Sequence, residues 1–254
     1  MRPISSKDQF NANAYKYAAS DVHRAGPSLP LLLALAKPDE DDQFLDVATG
    51  TGHTALAVAR FVAKTIGIDI APKMLEQARR LAAEQGTSNC SFMEGSAESI
   101  PLADGQFTLV TARHAPHHFH NAALFLSEVR RVLKPGGRFV MADQISPSTE
   151  TFDWVDYWER TRDPSHFMQR TVEEWSEAVT KAGFRWVEHR FVPYRLEFDW
   201  WVKQAGCTDS AISNLIAHAT EAPQLVRDTL SLEFDETGRV MAFQEPMLVV
   251  RLEP

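Results

Sequence analysis

Short apolar runs and amphipathic stretches alternate along this chain, with turn-forming residues at the junctions. Residues 43–49 (Gln-Phe-Leu-Asp-Val-Ala-Thr) read as a buried strand, and residues 54–63 carry helical spacing. A second strand is expected over residues 64–70. Pro72 then stands in the first turn of a helix, where its missing N–H costs nothing, and Gly86 stops that helix after Gln85. Cys90 to Glu94, Phe107 to Ala112 and Gly137 to Ala142 have strand patterning, while a helix over Asn121 to Leu133 is halted by Lys134-Pro135-Gly136-Gly137. Parallel neighbours need crossover connections, so this alternation predicts βαβ units.

The rhythm loosens after residue 146. Residues 147–170 bring Trp154, Tyr157, Trp158, Arg160 and Arg162 where a plain repeat needs only a short connection. Thr171-Val-Glu-Glu174 is a capping box opening a helix through Lys181, closed by Gly183. Strands near residues 184–195 and 245–252 bracket a mostly helical insertion at 197–235. The expected fold is therefore α/β, a doubly wound sheet of seven strands, mostly parallel. Specificity is expected in the two insertions, because a rigid scaffold positions functional loops. Leu225 to Phe234 has enough apolar positions for a lid helix or a homodimer face.

Composition narrows the classes. The 254 residues are 44% hydrophobic, enough for one well-packed core. Cys90 and Cys207 are the two cysteines, without CxxC spacing, so neither a disulfide scaffold nor a cysteine-rich zinc site is indicated, and a cytoplasmic setting is expected. No apolar run approaches the roughly 18 residues of a transmembrane segment, and the N-terminus lacks the apolar stretch of a secretory signal. A formal net charge of -8 opposes binding to phosphate backbones, so a small molecule rather than a nucleic acid is the expected partner.

The candidate chemistry starts at Asp46-Val-Ala-Thr-Gly50-Thr-Gly52-His-Thr-Ala55, a glycine turn between a strand and a helix. Gly50, Gly52 and Ala55 also satisfy a loose dinucleotide pattern, with Asp69 near the distance expected for a ribose-binding carboxylate. Spacing alone does not choose the cofactor. Asp46 discriminates better: a carboxylate entering this turn repels a pyrophosphate and attracts a sulfonium or ammonium. That favours S-adenosylmethionine over NAD. Asp69 is placed to accept both ribose hydroxyls, or else to cap the helix at Pro72. The two glycines permit close backbone approach to a ligand.

These residues, with Gly67-Ile-Asp-Ile-Ala-Pro-Lys-Met-Leu75, Gly95-Ser-Ala-Glu-Ser-Ile-Pro101 and Leu133-Lys-Pro-Gly-Gly137, resemble the class I S-adenosylmethionine-dependent methyltransferases. The likeness is greatest to the small-molecule branch that includes the ubiquinone/menaquinone-biosynthesis methyltransferases. It is strong over residues 43–142 and looser over 143–252. The resemblance implies a single domain, 1–254, with a helical N-terminal lid (1–42), a cofactor core (43–145) and substrate-covering insertions at 146–170 and 197–240. It implies that Ala48 and Gly50-Thr51-Gly52 cradle the methionine portion of the cofactor. Asp69 holds the ribose, Ile70 packs on adenine, and Ser96-Ala97-Glu98 meets the adenine edge. Ser96 stands where the family commonly has Asp, which weakens that contact. Met74 is expected beneath the cofactor. In the lid, Tyr15 or Tyr17 is expected near the cofactor carboxylate, with His23 at the substrate mouth.

Strand four ends in Thr111-Ala-Arg113-His114-Ala-Pro116-His117-His118-Phe119-His120, at the edge where doubly wound sheets bind ligands. A metal reading of these histidines is weak, since consecutive turn residues do not all point inward. His117 leads as acid/base or substrate-orienting residue, followed by His118. Arg113 is a candidate for a carboxylate and for the cofactor side. His114 and His120 read as structural. Arg162 and His166 are candidates to hold an anion or polar oxygen of the acceptor, and the aromatics Trp154, Tyr157, Trp158, Phe198, Trp200 and Trp201 either roof an acceptor or pack the insertions. The expected reaction is O- or C-methylation of a small metabolite. The alternatives are a non-catalytic S-adenosylmethionine-binding regulatory module and an NAD-linked oxidoreductase.

Overall fold

Three helices precede the first strand in the computed structural model, which describes residues 5–254: α1 (Ser6–Ala18), α2 (Asp21–Ala25) and α3 (Ser28–Ala36). The Ser5 and Ser20 side chains cap α1 and α2 by accepting the Asp8 and His23 amide hydrogens. Then come β1 (Gln43–Val47), α4 (His53–Ala59), β2 (Lys64–Asp69), α5 (Pro72–Glu84), β3 (Cys90–Glu94) and β4 (Phe107–Arg113). A short 3-10 turn, Pro116–His118, leads to α6 (Ala122–Val132) and β5 (Leu133–Gln144). The remainder is α7 (Phe152–Arg162), α8 (Val172–Lys181), β6 (Arg185–Glu197), α9 (Phe198–Ala205), α10 (Asp209–Thr220), α11 (Gln224–Thr229), β7 (Glu233–Phe234) and β8 (Val240–Glu253). The capping box at Thr171 and Glu174 is formed as the sequence predicts.

The sheet runs β3-β2-β1-β4-β5-β8-β6, with β7 paired to β8 outside that path. The first five strands are parallel, while β8 is antiparallel to both β5 and β6. Successive residues of a strand face opposite sides, and both sides are covered by helices. Leu45, Val110 and Met141 pack toward Phe125, Val129 and Trp175 of α6 and α8. Phe44, Leu109 and Val140 pack toward Leu32, Trp158, Trp201 and Leu215 of α3, α7, α9 and α10. This two-sided burial explains the continuous apolar runs in the sequence.

Strands β5, β6 and β8 extend beyond their expected bounds, and β5 takes in the Lys134-Pro135-Gly136-Gly137 stretch that the turn pattern places before it. The β6–β8 ladder continues to Glu197 opposite Ala242, although the apolar run suggests a start at residue 245. An antiparallel partner satisfies backbone groups whatever the side-chain pattern. The insertion at 197–240 also holds β7. Within it, α11 packs Val226 against Val155 and Ala222. Among the described residues, no helix is long and apolar enough to cross a membrane. Strand order reverses between β1 and β4, and the crevice beyond their carboxyl ends is where a doubly wound sheet binds ligands.

Candidate functional site

Three adjoining cavities occupy that crevice, and Phe10 of α1 lines all of them. The first, of about 80 Å³, is bounded by Asp46, Ala48, Gly50, Thr51, Thr54, Met74 and Arg113, with Tyr17 and His23 from the N-terminal helices. The second, about 470 Å³, runs past Asp69, Ile70, Ser96, Ala97 and Glu98 to His118, Phe119 and the 164–167 loop. The third, about 50 Å³, is enclosed by Tyr17, His23, His114, His117, His118, Gln144, Arg162, Tyr194, Trp200, Trp201 and Glu245. Ala48, Asp69 and Ala115 join the first cavity to the second, and His118 joins the second to the third.

The glycine turn is built from backbone and carboxylates together. Ala48 takes φ 53° and Gly50 φ 55°, so the chain folds back sharply after β1. Gly50 donates its amide hydrogen to Asp69 Oδ2 at 2.8 Å, and Ala71 donates to Asp69 Oδ1 at 2.9 Å. Asp69 thus ties the turn and serves the start of α5, while still lining both the first and the second cavity. Asp46 is buried beneath the turn, its two oxygens accepting hydroxyl hydrogens from Thr49 and Thr111 at 2.6 Å each. Burial pushes both carboxyls up to about 6, against the hydrogen bonds that favour their charged forms. A cationic ligand would compensate that burial.

Three expectations need correction. Tyr15 is 75% exposed and lines none of the three cavities, because it lies on the solvent side of α1, whereas Tyr17 faces inward. Gly52 does not face a cavity: it has φ 84°, and a Cβ there would meet Ala78 at 3.1 Å and Phe92 at 3.2 Å, so it serves helix packing. Arg113 is not free to pair with an acceptor carboxylate. Its Nε donates to Thr54 Oγ1 at 2.8 Å, its Nη1 to Ser28 Oγ at 3.2 Å and its Nη2 to the His23 carbonyl. It clamps the segment joining α2 and α3 onto the wall of the first cavity.

Ser96 accepts the Glu98 amide hydrogen at 3.2 Å, and the Glu98 carboxylate accepts the Asn121 amide hydrogen at 2.8 Å. Both still line the second cavity beside Ile70 and Ala97. Met74 is buried with Ala14, Tyr17 and Ala71, and its Cε would meet a Gly50 Cβ at 3.7 Å. Of the six insertion aromatics, only Trp200 and Trp201 reach the third cavity. Trp158 stacks between Trp154 and Trp201 at 5.1 and 4.9 Å, inside the core.

The histidines divide into two groups. His117 Nδ1 lies 2.7 Å from Asp143 Oδ1, both side chains buried, and His166 stacks on His117 at 5.5 Å. His118 Nδ1 donates to the Ser165 carbonyl at 3.0 Å, and its side chain lines both the second and the third cavity. Burial pushes His117 well below its ordinary range and His166 down to about 2, so both are neutral at physiological pH. His114 is more than structural packing: with φ 53° it lines the first and third cavities beside Ser28 and Tyr194. Asp143, Glu245 and Tyr194 escape sequence reasoning, since each lies in an apolar strand pattern with no local motif. Among the described residues, no group of three or more His, Cys, Asp or Glu side chains is arranged to hold a metal ion.

The crevice fits a nucleoside carrying a charged amino-acid tail. It offers an extended cavity with apolar Ile70, Ala97 and Phe119, a carboxylate at the middle, and a narrower polar end at Asp46 and Thr51. Comparison with known proteins agrees. Residues 45–141 match the family model described as a methyltransferase domain. An uncharacterized methyltransferase of Bacillus subtilis, YcgJ, is 32% identical over 241 residues, covering 94% of this chain and 95% of that protein. The crystal structure of YcgJ superposes with a TM-score of 0.86 at 31% identity, over 89% of this chain and 97% of that one. A demethylmenaquinone methyltransferase of Chlorobaculum parvum is 38% identical over 110 residues, covering 43% of this chain and 44% of that protein. With the motifs, the sheet order and full-length similarity in agreement, this chain belongs to the class I S-adenosylmethionine-dependent methyltransferases.

Proposed function

We propose that this methyltransferase acts on a small polar acceptor, at an oxygen or an acidic carbon, and that His117 removes the acceptor's proton. The observation that carries this reading is the buried His117–Asp143 pair at 2.7 Å, whose His117 ring lines the third cavity next to the large second cavity. S-adenosylmethionine supplies, when bound, an electrophilic methyl group on a sulfonium. The chain's own residues then have three tasks.

The first is binding. Asp69 takes the ribose hydroxyls, Ile70 and Ala97 flank the adenine with Ser96 and Glu98 at its edge, and Ala48, Gly50 and Thr51 border the methionine portion over Met74. Asp46 supplies negative potential beneath the turn. The second is alignment and exclusion of water by α1, α2 and the 164–167 loop, which together supply several powers of ten in rate. The third is proton removal. In this reading His117 Nδ1–H donates to Asp143 Oδ1, 2.7 Å away, which fixes the ring so that Nε2, which hydrogen-bonds to no described residue, faces the acceptor. His118 orients the acceptor at the junction of the second and third cavities, and His166 supports His117 by stacking.

The size of the third cavity favours a compact acceptor group. A single water needs roughly 10–15 Å³ of such space, so 50 Å³ admits only a few non-hydrogen atoms. The fold and family match leave no support for the NAD-linked or non-catalytic readings. The domain is read as single, with 1–42 as lid, and the setting as cytoplasmic. The test is a screen of small hydroxylated and enolizable acceptors with isotopically labelled methyl donor. Transfer to amines or thiols alone, or unchanged turnover in His117→Ala, overturns the proton-removal reading.

A further inference from the structure

Arg162, at the end of α7, differs from Arg113 and Arg138, whose guanidinium groups are fully engaged, and from buried Arg170, which stacks on Trp175 at 5.1 Å but lines none of the three cavities. Arg113 has three hydrogen-bonded nitrogens, and Arg138 is joined to Asp42 and to the Ala36 and Lys37 carbonyls. Arg162 instead lies 5.2 Å from the centre of the Trp201 ring and donates from Nε to the Trp201 carbonyl at 3.4 Å. Apart from the Tyr17 hydroxyl beside the guanidinium, its Nη1 and Nη2 groups meet no hydrogen-bond partner among the described residues, and the side chain lines the third cavity. The Glu159, Asp163 and Glu245 carboxyls act on it through space, yet none forms an ion pair with it. Asp163 Oδ1 is already taken by the Ser165 amide and hydroxyl at 2.9 and 2.7 Å. Glu245 Oε1 accepts from Gln169 Nε2 at 3.2 Å. Burial pushes Glu159 well above the usual carboxylate range, which leaves it uncharged.

A guanidinium held by stacking and by Nε alone presents two parallel N–H groups, the geometry that grips a planar oxyanion in bidentate fashion. The Tyr17 hydroxyl faces the same guanidinium from α1. Burial pushes this phenol up to about 12, so it remains a donor. His117 is on the same small cavity.

We propose that Arg162 is the specificity residue of the acceptor cavity, and that the acceptor carries a carboxylate beside the oxygen or carbon that receives the methyl group. The inference rests on reading the third cavity as the acceptor site. Arg162 and Tyr17 hold the carboxylate, and the reacting hydroxyl or carbon acid is left toward His117. The acceptor class is therefore a compact hydroxy- or enol-carboxylic acid. The negative potential of the Glu245 and Asp163 carboxyls favours the charged guanidinium before the acceptor arrives.

The test is calorimetry on the full chain saturated with S-adenosylhomocysteine, using two matched pairs, glycolate with glycolamide and lactate with lactamide, and ethanolamine as a cationic control. In wild type, at least one carboxylate is expected to bind ten-fold or more tightly than its amide, and Arg162→Gln is expected to erase that preference. S-adenosylhomocysteine affinity, unchanged in the variant, shows that it is folded. No carboxylate preference in either pair, a preference that survives Arg162→Gln, or selective binding of ethanolamine overturns the proposal. The underlying reading fails separately: a carboxylate that binds through Arg162 but is never methylated sinks the acceptor-site assignment and leaves the anion site standing.

Discussion

Asp69 Oδ2 accepts the amide hydrogen of Gly50 at 2.8 Å, joining the ends of two neighbouring parallel strands across 19 positions of sequence. The glycine turn and the acidic strand end are thus one unit. Asp69→Ala is expected to loosen the turn as well as remove a ribose partner. A hydrogen bond to a charged group contributes about 1.5–3 kcal/mol, so calorimetry with S-adenosylhomocysteine should show a loss of roughly ten- to a hundred-fold. Equal affinity in the variant removes Asp69 from the ribose site.

Donor affinity should depend on acidity. Asp46 and Asp69 have pKa values raised to about 6 by burial, so both lose charge as pH falls through 6. S-adenosylmethionine is a sulfonium and S-adenosylhomocysteine is not. The ratio of their affinities is therefore expected to favour the sulfonium above pH 6 and to shrink below it. For folding, the sign is opposite to that of a salt-bridged carboxylate. The folded state binds protons more readily here, so these two groups cost stability that is relieved as pH drops from about 6 toward the ordinary Asp range. A ratio that does not change between pH 5 and 7.5 counts against Asp46 as the source of the attraction.

His117→Ala should lower turnover by about 10²–10⁴ if it removes the acceptor's proton, with S-adenosylhomocysteine affinity unchanged. Because burial holds His117 well below its usual range, turnover at saturating donor and acceptor should stay flat down through pH 6.5 rather than fall there. Asp143→Asn should reproduce part of the loss by misdirecting the ring. A steep acid limb centred at 6.5 would point to another group.

Gly52→Ala probes the fold apart from the ligand. The backbone has φ 84° and the added methyl meets Ala78 and Phe92 at 3.1 and 3.2 Å. Strain of this kind costs about 1–3 kcal/mol, which in a chain of this size lowers Tm by about 2–4 °C for each kcal/mol. Tyr15→Ala, at a 75% exposed position, should leave both Tm and cofactor affinity unchanged. Thermal melts of the two variants check both statements.

Local order along the chain decided much of this protein. Alternating apolar runs, Pro72 and Gly86 as helix punctuation, the Thr171–Glu174 capping box and the glycine turn after β1 all act over a few residues, and such signals are legible without a fold. The βαβ series follows from them, because parallel strands require crossovers. Tertiary structure alone decided which polar groups meet. Asp143 pairs with His117 across 26 positions, Arg113 closes on Ser28 and His23, and Arg162 meets no carboxylate or carbonyl at its Nη1 and Nη2 groups among the described residues, inside a cavity lined from α1, α7, β6 and β8. Tyr15 and Tyr17 are equivalent as letters, yet two positions of helix turn the chain by about 200°, which sends one to solvent and the other to the crevice. Periodicity reports which face of an element is apolar; it carries no record of which distant polar side chain will fill the space opposite.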